Sequence, residues 1–266
     1  MATMDAVAAP SQFGMGRVIT RTFEVFGRNF IPFSALAALA VAPTTVFGFV
    51  LTRSYVRAVT GPPNLSVLFA NIPLQGANLL VSVVLSVFLQ AALVHGTFTA
   101  LNGRPASFGE CLSTALRSFP RLLGIGFLAS FGVIFGMLLL VVPGLILAVM
   151  WSVVVPACIV EHKSVGESFS RSSQLTSGHR WAIFGLIVIL AVADFAAGLA
   201  IRPLSGLSFF PTPGHVLPEF GIYWILGTAL RIIIAAISAI GAASIYYELR
   251  SIKEGVGAEE LASVFS

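Results

Sequence analysis

Two charged residues stand inside stretches that are otherwise apolar, and they are the sharpest chemical signal in this chain. Asp194 lies in "IVILAVADFAAGLAI" and Arg231 in "ILGTALRIIIAAI". A charge at the centre of a membrane helix costs about 2.5 kcal/mol or more, so each needs a partner or a polar cavity. Measured from Ile201 and Ile222, the expected ends of two successive antiparallel helices, the depths of the two charges agree within about 3 Å. The sequence therefore predicts an Asp194–Arg231 salt bridge facing the bundle interior, either a structural clamp or a proton or substrate site.

A second signal is "SVGESFSRSSQLTSGHRW", residues 164–181, with seven Ser or Thr residues between two apolar runs. Hydroxyls and free N–H groups at a helix start hold an anion, or simply cap the helix. His162 and His179 flank this segment without a Cys or carboxylate at metal-ligand spacing. Gln90, His95 and Asn78 fall along one apolar run and belong with inner-bundle packing. There is no nucleophile elbow, no phosphate-binding glycine loop and no H-E-x-x-H. The expectation is thus a non-enzymatic protein with no cofactor and no metal. Cys111 and Cys158 form no disulfide framework.

The elements that must carry these residues are set by composition. Of 266 residues, 57% are hydrophobic and only 10% charged, with mean hydropathy +0.95. Soluble domains carry about 25% charged residues, so this chain cannot cover itself with polar surface. Residues 58–103 and 122–160 contain no Asp, Glu, Lys or Arg. About 20 apolar residues cross a bilayer as a helix, which gives spans at 30–52, 76–100, 122–142, 144–160, 181–201 and 222–247. Pro143-Gly144 separates the third from the fourth. Arg17, Arg21, Glu24 and Arg28 interrupt the first thirty residues, so no signal peptide is expected there.

Basic residues choose the orientation. Arg17, Arg21, Arg28, Arg104, Arg117, Arg121, Lys163, Arg171, Arg180, Arg250 and Lys253 fall on one side, against Arg53, Arg57 and Arg202 on the other. The positive-inside rule places both termini in the cytoplasm. Glu248 and Arg250 then reach the cytoplasmic surface, with Tyr246 and Tyr247 as headgroup-depth anchors.

Three segments on that side share a pattern. Met15, Ile19, Phe23 and Phe26 correspond to Phe108, Leu112, Leu116 and Phe119, and again to Val165, Phe169, Ser173 and Thr176. Spacings of three and four put each set on one helical face. Ser107 with Glu110, and Ser164 with Glu167, fit the capping box. The fold class is therefore an all-α polytopic membrane protein, with six transmembrane helices and three cytoplasmic interfacial amphipathic helices in one domain, 1–266. The units 14–101, 107–160 and 164–250 read as repeats, or as shared amphipathicity without common descent. Ser172, Ser173 and Thr176 dilute the third apolar face, which should pack on protein or meet something polar. Gly132 and Gly136 form a G-x-x-x-G pair suited to close packing, most simply against the fourth span or a neighbouring one.

From Pro143 to Gly178 the residues Pro143-Gly144, Trp151, Pro156, Glu161, Glu167-Ser168, Arg171-Ser172, Leu175-Thr176 and Gly178 form a pattern, closed by "IYYELRSIKEG" at 245–255. In these the chain resembles the membrane domain associated with some glycerophosphoryl diester phosphodiesterases and the related YciC-type bacterial membrane proteins. The resemblance implies a six-span protein of the cell inner membrane with undefined activity. It imports no phosphodiesterase chemistry, which belongs to a separate soluble domain.

Two functions remain in view. One is organisation of membrane lipids, or of another membrane protein, at the cytoplasmic leaflet through Arg17, Arg21, Arg28, Arg117, Arg121, Arg171 and Arg180, each contributing about 1 kcal/mol near anionic lipid. The other is transport of a small solute or lipid using Asp194 and Arg231. A polar midplane cavity containing Asp194 favours the transporter, and a closed core favours the organiser. No nucleic-acid partner is indicated.

Overall fold

The computed structural model describes residues 13–60, 65–201 and 222–255, and these are helical apart from short connections. Ten helices follow one another: α1 (Met15–Arg28), α2 (Phe30–Thr60), α3 (Leu65–Leu101), α4 (Phe108–Arg117), α5 (Phe119–Leu139), α6 (Val141–Met150), α7 (Val154–Glu161), α8 (Val165–Thr176), α9 (Arg180–Ile201) and α10 (Ile222–Glu254). Six stretches are long and apolar enough to cross a membrane: Phe30–Ser54, Phe69–Leu101, Phe119–Leu139, Val141–Glu161, Arg180–Ala200 and Trp224–Glu254. The chain is a multi-pass, all-α membrane protein. Short helices α1, α4 and α8 each precede two apolar arms, the second arm of the middle unit being broken into α6 and α7. Arg202 and both chain ends lie outside the described residues.

At 1.5 Å per residue, α2, α3 and α10 run about 45–55 Å, well beyond a hydrocarbon core of about 30 Å. Their surplus length builds the core. The buried segments are Leu89–Phe98 of α3 (all but Gln90 and His95), Val153–Val160 around α7, and most of Ala236–Leu249 of α10, joined by Phe33, Leu36 and Ala37 of α2. All of them belong to the arginine-rich end of the bundle. Gly96 lets the helices close there, since a Cβ would fall 2.7 Å from the Phe33 ring and 2.9 Å from the Cys111 sulfur. Away from that end the helices present Val46, Val50, Leu79, Leu138 and Phe195 outward.

The α5–α6 hairpin turns at Leu140, in extended backbone (φ −159°, ψ 138°), and not at Pro143-Gly144. Pro143 sits in the first turn of α6, where its missing N–H has no intrahelical partner to lose. Gly144 permits backbone contact: a Cβ there would fall 2.6 Å from the Met137 nitrogen, and one on Gly136 would fall 3.0 Å from the Gly144 Cα. Gly132 seats the Trp151 ring, so both glycines of the pair do pack against the fourth span.

That span is interrupted after Met150, and the interruption explains the hydroxyl-rich segment. The Ser172 hydroxyl of α8 donates to the Met150 carbonyl at 2.7 Å, while Trp151 stacks edge-on with Phe169 at 4.9 Å. Ser168, Ser172, Leu175 and Thr176 are buried, so the third segment packs on protein. Ser168 and Thr176 satisfy their hydroxyls on the carbonyls of Ser164 and Ser172. The Glu167 carboxylate accepts the Ser164 hydroxyl (2.6 Å) and N–H (3.0 Å), which hold its carboxyl below the usual range.

At Ser107 the expected capping box does not form, because Ser107 makes no side-chain cap bond. Asn29 fixes the entry to α4 instead: its buried amide oxygen accepts the Ala106 N–H at 3.2 Å, while its NH2 group donates to the Val25 carbonyl. One side chain thus ties the α1–α2 corner to α4.

The tail "YYELR" also differs from expectation, because Tyr246 and Glu248 are buried within the protein. Glu248 accepts the Arg17 Nε at 2.8 Å and lies 3.4 Å from Arg21, whose guanidinium stacks over Tyr247. Glu161 accepts Arg171 at 2.8 Å and the Tyr246 hydroxyl at 2.7 Å, with Lys163 at 3.1 Å. Arg171 continues to Glu254, which Arg250 also holds. These bonds bind α1, α7, α8 and α10 into one layer.

The Glu248 pair is asymmetric: its side chain is 2% exposed, against 47% and 22% for Arg17 and Arg21. Replacing both arginines by Gln strands a buried carboxylate and should cost about 3 kcal/mol. Glu248→Gln frees guanidinium groups that can turn to water and should cost only about 1 kcal/mol. Denaturant unfolding in detergent distinguishes the two, and equal losses would contradict the asymmetry.

Candidate functional site

Beyond the packed layer the four helices α2, α3, α9 and α10 enclose an open cavity of about 470 Å³. Its floor is Leu89, which adjoins the buried run at Ala91–Val94. Asp194 on α9 and Arg231 on α10 both face it, together with Thr44 and Thr45 of α2, Ser82 and Ser86 of α3, and Ser238 of α10. Along α2 and α9 the cavity lies about 21 Å from the arginine-rich helix ends, well inside the apolar length.

Each wall follows from helical spacing. Ser82 and Ser86 are one turn apart, and Arg231, Ala235 and Ser238 repeat at four and three. Thr44 and Thr45 bracket the carbonyl of Val41, both donating to it at 2.9 Å, and Pro43 lies between them and that carbonyl in sequence. Pro43 has no N–H to give to the Leu39 carbonyl, so one regular helix hydrogen bond is missing from this part of α2. Ser82 and Ser86 donate to Leu79 and Val83 in the same manner. The hydroxyl hydrogens of these four residues are therefore occupied, which leaves their oxygens available as acceptors.

The predicted salt bridge is absent. Asp194 and Arg231 are both exposed to the cavity, and neither has a hydrogen-bond or ion-pair partner among the described residues. Both charges line one cavity but do not pair across it, and Asp194 is carried by the weakly embedded α9. Only 11% of its apolar window is buried, the least of the six, and it packs chiefly on α10 and α6. The cavity therefore presents one free carboxylate, one free guanidinium and several hydroxyl oxygens.

The seven arginines expected at lipid or partner contacts divide differently. Arg17, Arg21 and Arg171 are committed to the carboxylates described above. Arg28 pairs with Glu24 one turn away, and Arg121 donates to the His162 carbonyl at 3.3 Å, where α7 ends in a left-handed residue (φ 50°). Arg117 and Arg180 are exposed and without a partner among the described residues. Thr44, Thr45, Ser82, Ser86 and Ser238 were not singled out by the sequence reading; serine or threonine at one-turn spacing inside an apolar span was the signal available.

Residues 65–249 match the model of a family described as a domain of unknown function (DUF7847), which covers more than half of the chain. The protein belongs to that family. No curated protein and no solved structure gives a significant match.

Because the two charges do not touch, their effects on stability should be independent. A double-mutant cycle with Asp194→Asn and Arg231→Gln should give a coupling energy under about 0.5 kcal/mol in ligand-free protein. A coupling above about 1 kcal/mol would restore the direct pair.

Proposed function

We propose that this DUF7847 member is a non-enzymatic membrane protein that binds a small zwitterionic solute between Asp194 and Arg231 and carries it across the cell inner membrane. The observation that supports this is the pairing of two unpartnered opposite charges on one cavity wall inside the apolar length of the bundle. An ion pair serving only as a clamp would close on itself. Charges held apart keep their desolvation cost until a ligand or water supplies the counter-charges, which suits a site that must fill and empty.

Access follows from the packing. Toward the arginine-rich end the cavity stops at Leu89 and the buried layer. In the other direction α2 and α3 carry Thr52, Ser54, Asn71 and Asn78, and the Asn78 side-chain amide oxygen is buried without a hydrogen-bond partner. In this reading, with the basic end cytoplasmic, the site opens toward the outer side and is closed from the inner one. Of the residues that carry the resemblance to phosphodiesterase-associated membrane domains, Glu161, Arg171 and Tyr246 belong to the packed layer, and none of the set lines the cavity.

A second reading, organisation of lipids or partner proteins at the cytoplasmic leaflet, rests on Arg117 and Arg180 beside exposed Phe108, Leu116 and Trp181.

The test is ligand-dependent thermal stabilisation of the detergent-solubilised protein against a panel of amino acids, betaine and phosphoethanolamine. A bound zwitterion should raise the melting temperature of the wild type, by about 2.7 kcal/mol of added stability at a hundred times Kd. Asp194→Asn and Arg231→Gln should each abolish that shift for the same compound. Stabilisation that survives both substitutions would place the site elsewhere.

A further inference from the structure

A second cavity, separate from the one above, lies between α6 and α9, and we propose that it holds one acyl chain of an anionic phospholipid whose phosphate rests on Arg180. The groove has a volume of about 280 Å³, and its lining is four aliphatic side chains of α6, from Val142 to Val149, with Trp181 and Phe184 of α9. Arg180 is the one charged residue bordering it; the groove surface itself is almost wholly apolar, so Arg180 adjoins it mainly through its aliphatic stem. An apolar groove with a single cation at its border is complementary to an amphiphile with one negative head and a hydrocarbon tail.

Arg180 is suited to that head in a way that most of its neighbours are not. Arg171 and Arg250 are both tied to Glu254, and Lys253 donates to the Gln174 carbonyl. Arg180 is exposed and has no partner among the described residues. It opens α9, where the free N–H groups of the first turn add to the positive potential. Trp181 beside it is 86% exposed and meets Phe184 edge-on at 6.1 Å. An indole placed so is the side chain that anchors at headgroup level, with its apolar body toward the chain and its N–H toward the polar layer. Arg117 is the useful contrast: it too is exposed and without a partner among the described residues, yet it does not line this groove.

Native mass spectrometry of the full-length protein tests this, using detergent micelles doped with phosphatidylglycerol or phosphatidylcholine of identical acyl chains. The wild type should retain one phosphatidylglycerol about fivefold more than phosphatidylcholine. Arg180→Gln should abolish that preference, Ile146→Trp should reduce retention of both lipids by filling the groove, and Arg117→Gln should change neither. A preference that survives Arg180→Gln, an equal loss with Arg117→Gln, or retention of free fatty acid only would overturn the proposal. Should Arg180→Gln fail to fold, Ile146→Trp decides alone: lost lipid supports the groove and retained lipid refutes it.

Discussion

Two carboxylates organise the structure: Glu248, which is buried, and Glu161, which is partly buried. A carboxylate inside an apolar bundle is tolerated only when surrounded by donors, so each gathers cations and hydroxyls from separate helices. Glu248 on α10 draws in Arg17 and Arg21 of α1, and Glu161 on α7 draws in Arg171 of α8 and Tyr246 of α10. Helices that do not follow one another in sequence are thereby joined at one end. Beyond that layer α2, α3, α9 and α10 leave a polar cavity between them, with the Ser54–Asn71 hydrogen bond and the Phe49–Trp224 ring contact farther along.

The same helix serves both regions. In α10 Arg231 faces the cavity, and about 22 Å along the helix Tyr246 enters the buried layer. Fixing the lower part of α10 fixes the depth and heading of Arg231. Asp194 is placed less rigidly, because α9 leans on the bundle through few neighbours.

Much of this was legible in the residues, and the limits have physical causes. Six spans followed from charge-free length, and three preceding helices followed from spacings of three and four. Asp194 and Arg231 can be compared in depth because rise per residue is fixed in a helix, whereas whether they touch depends on how neighbouring helices lean, which periodicity does not encode. Tyr246 and Glu248 looked like a surface anchor because composition alone cannot show that α10 outruns the bilayer into a packed layer. The arginines of that layer were read as free for lipid for the same reason: their acidic partners lie more than 200 residues away for Glu248 and on other helices for Glu254. The hydroxyls of α8 made sense only once the broken span exposed the Met150 carbonyl that Ser172 caps.

The central claim is that water reaches the Asp194–Arg231 cavity from the side opposite the arginine-rich layer. Both native thiols are buried, so an added cysteine reports alone. The direct measurement is labelling of Thr44→Cys, Ser238→Cys and, as an outward-facing control, Phe195→Cys by a membrane-impermeant maleimide in sealed vesicles of each orientation. Thiols react as thiolates, which form in water and not in lipid. The account predicts labelling of positions 44 and 238 from the side away from the basic layer, with none at 195. Labelling from the basic side, or no difference between cavity and control positions, would contradict it.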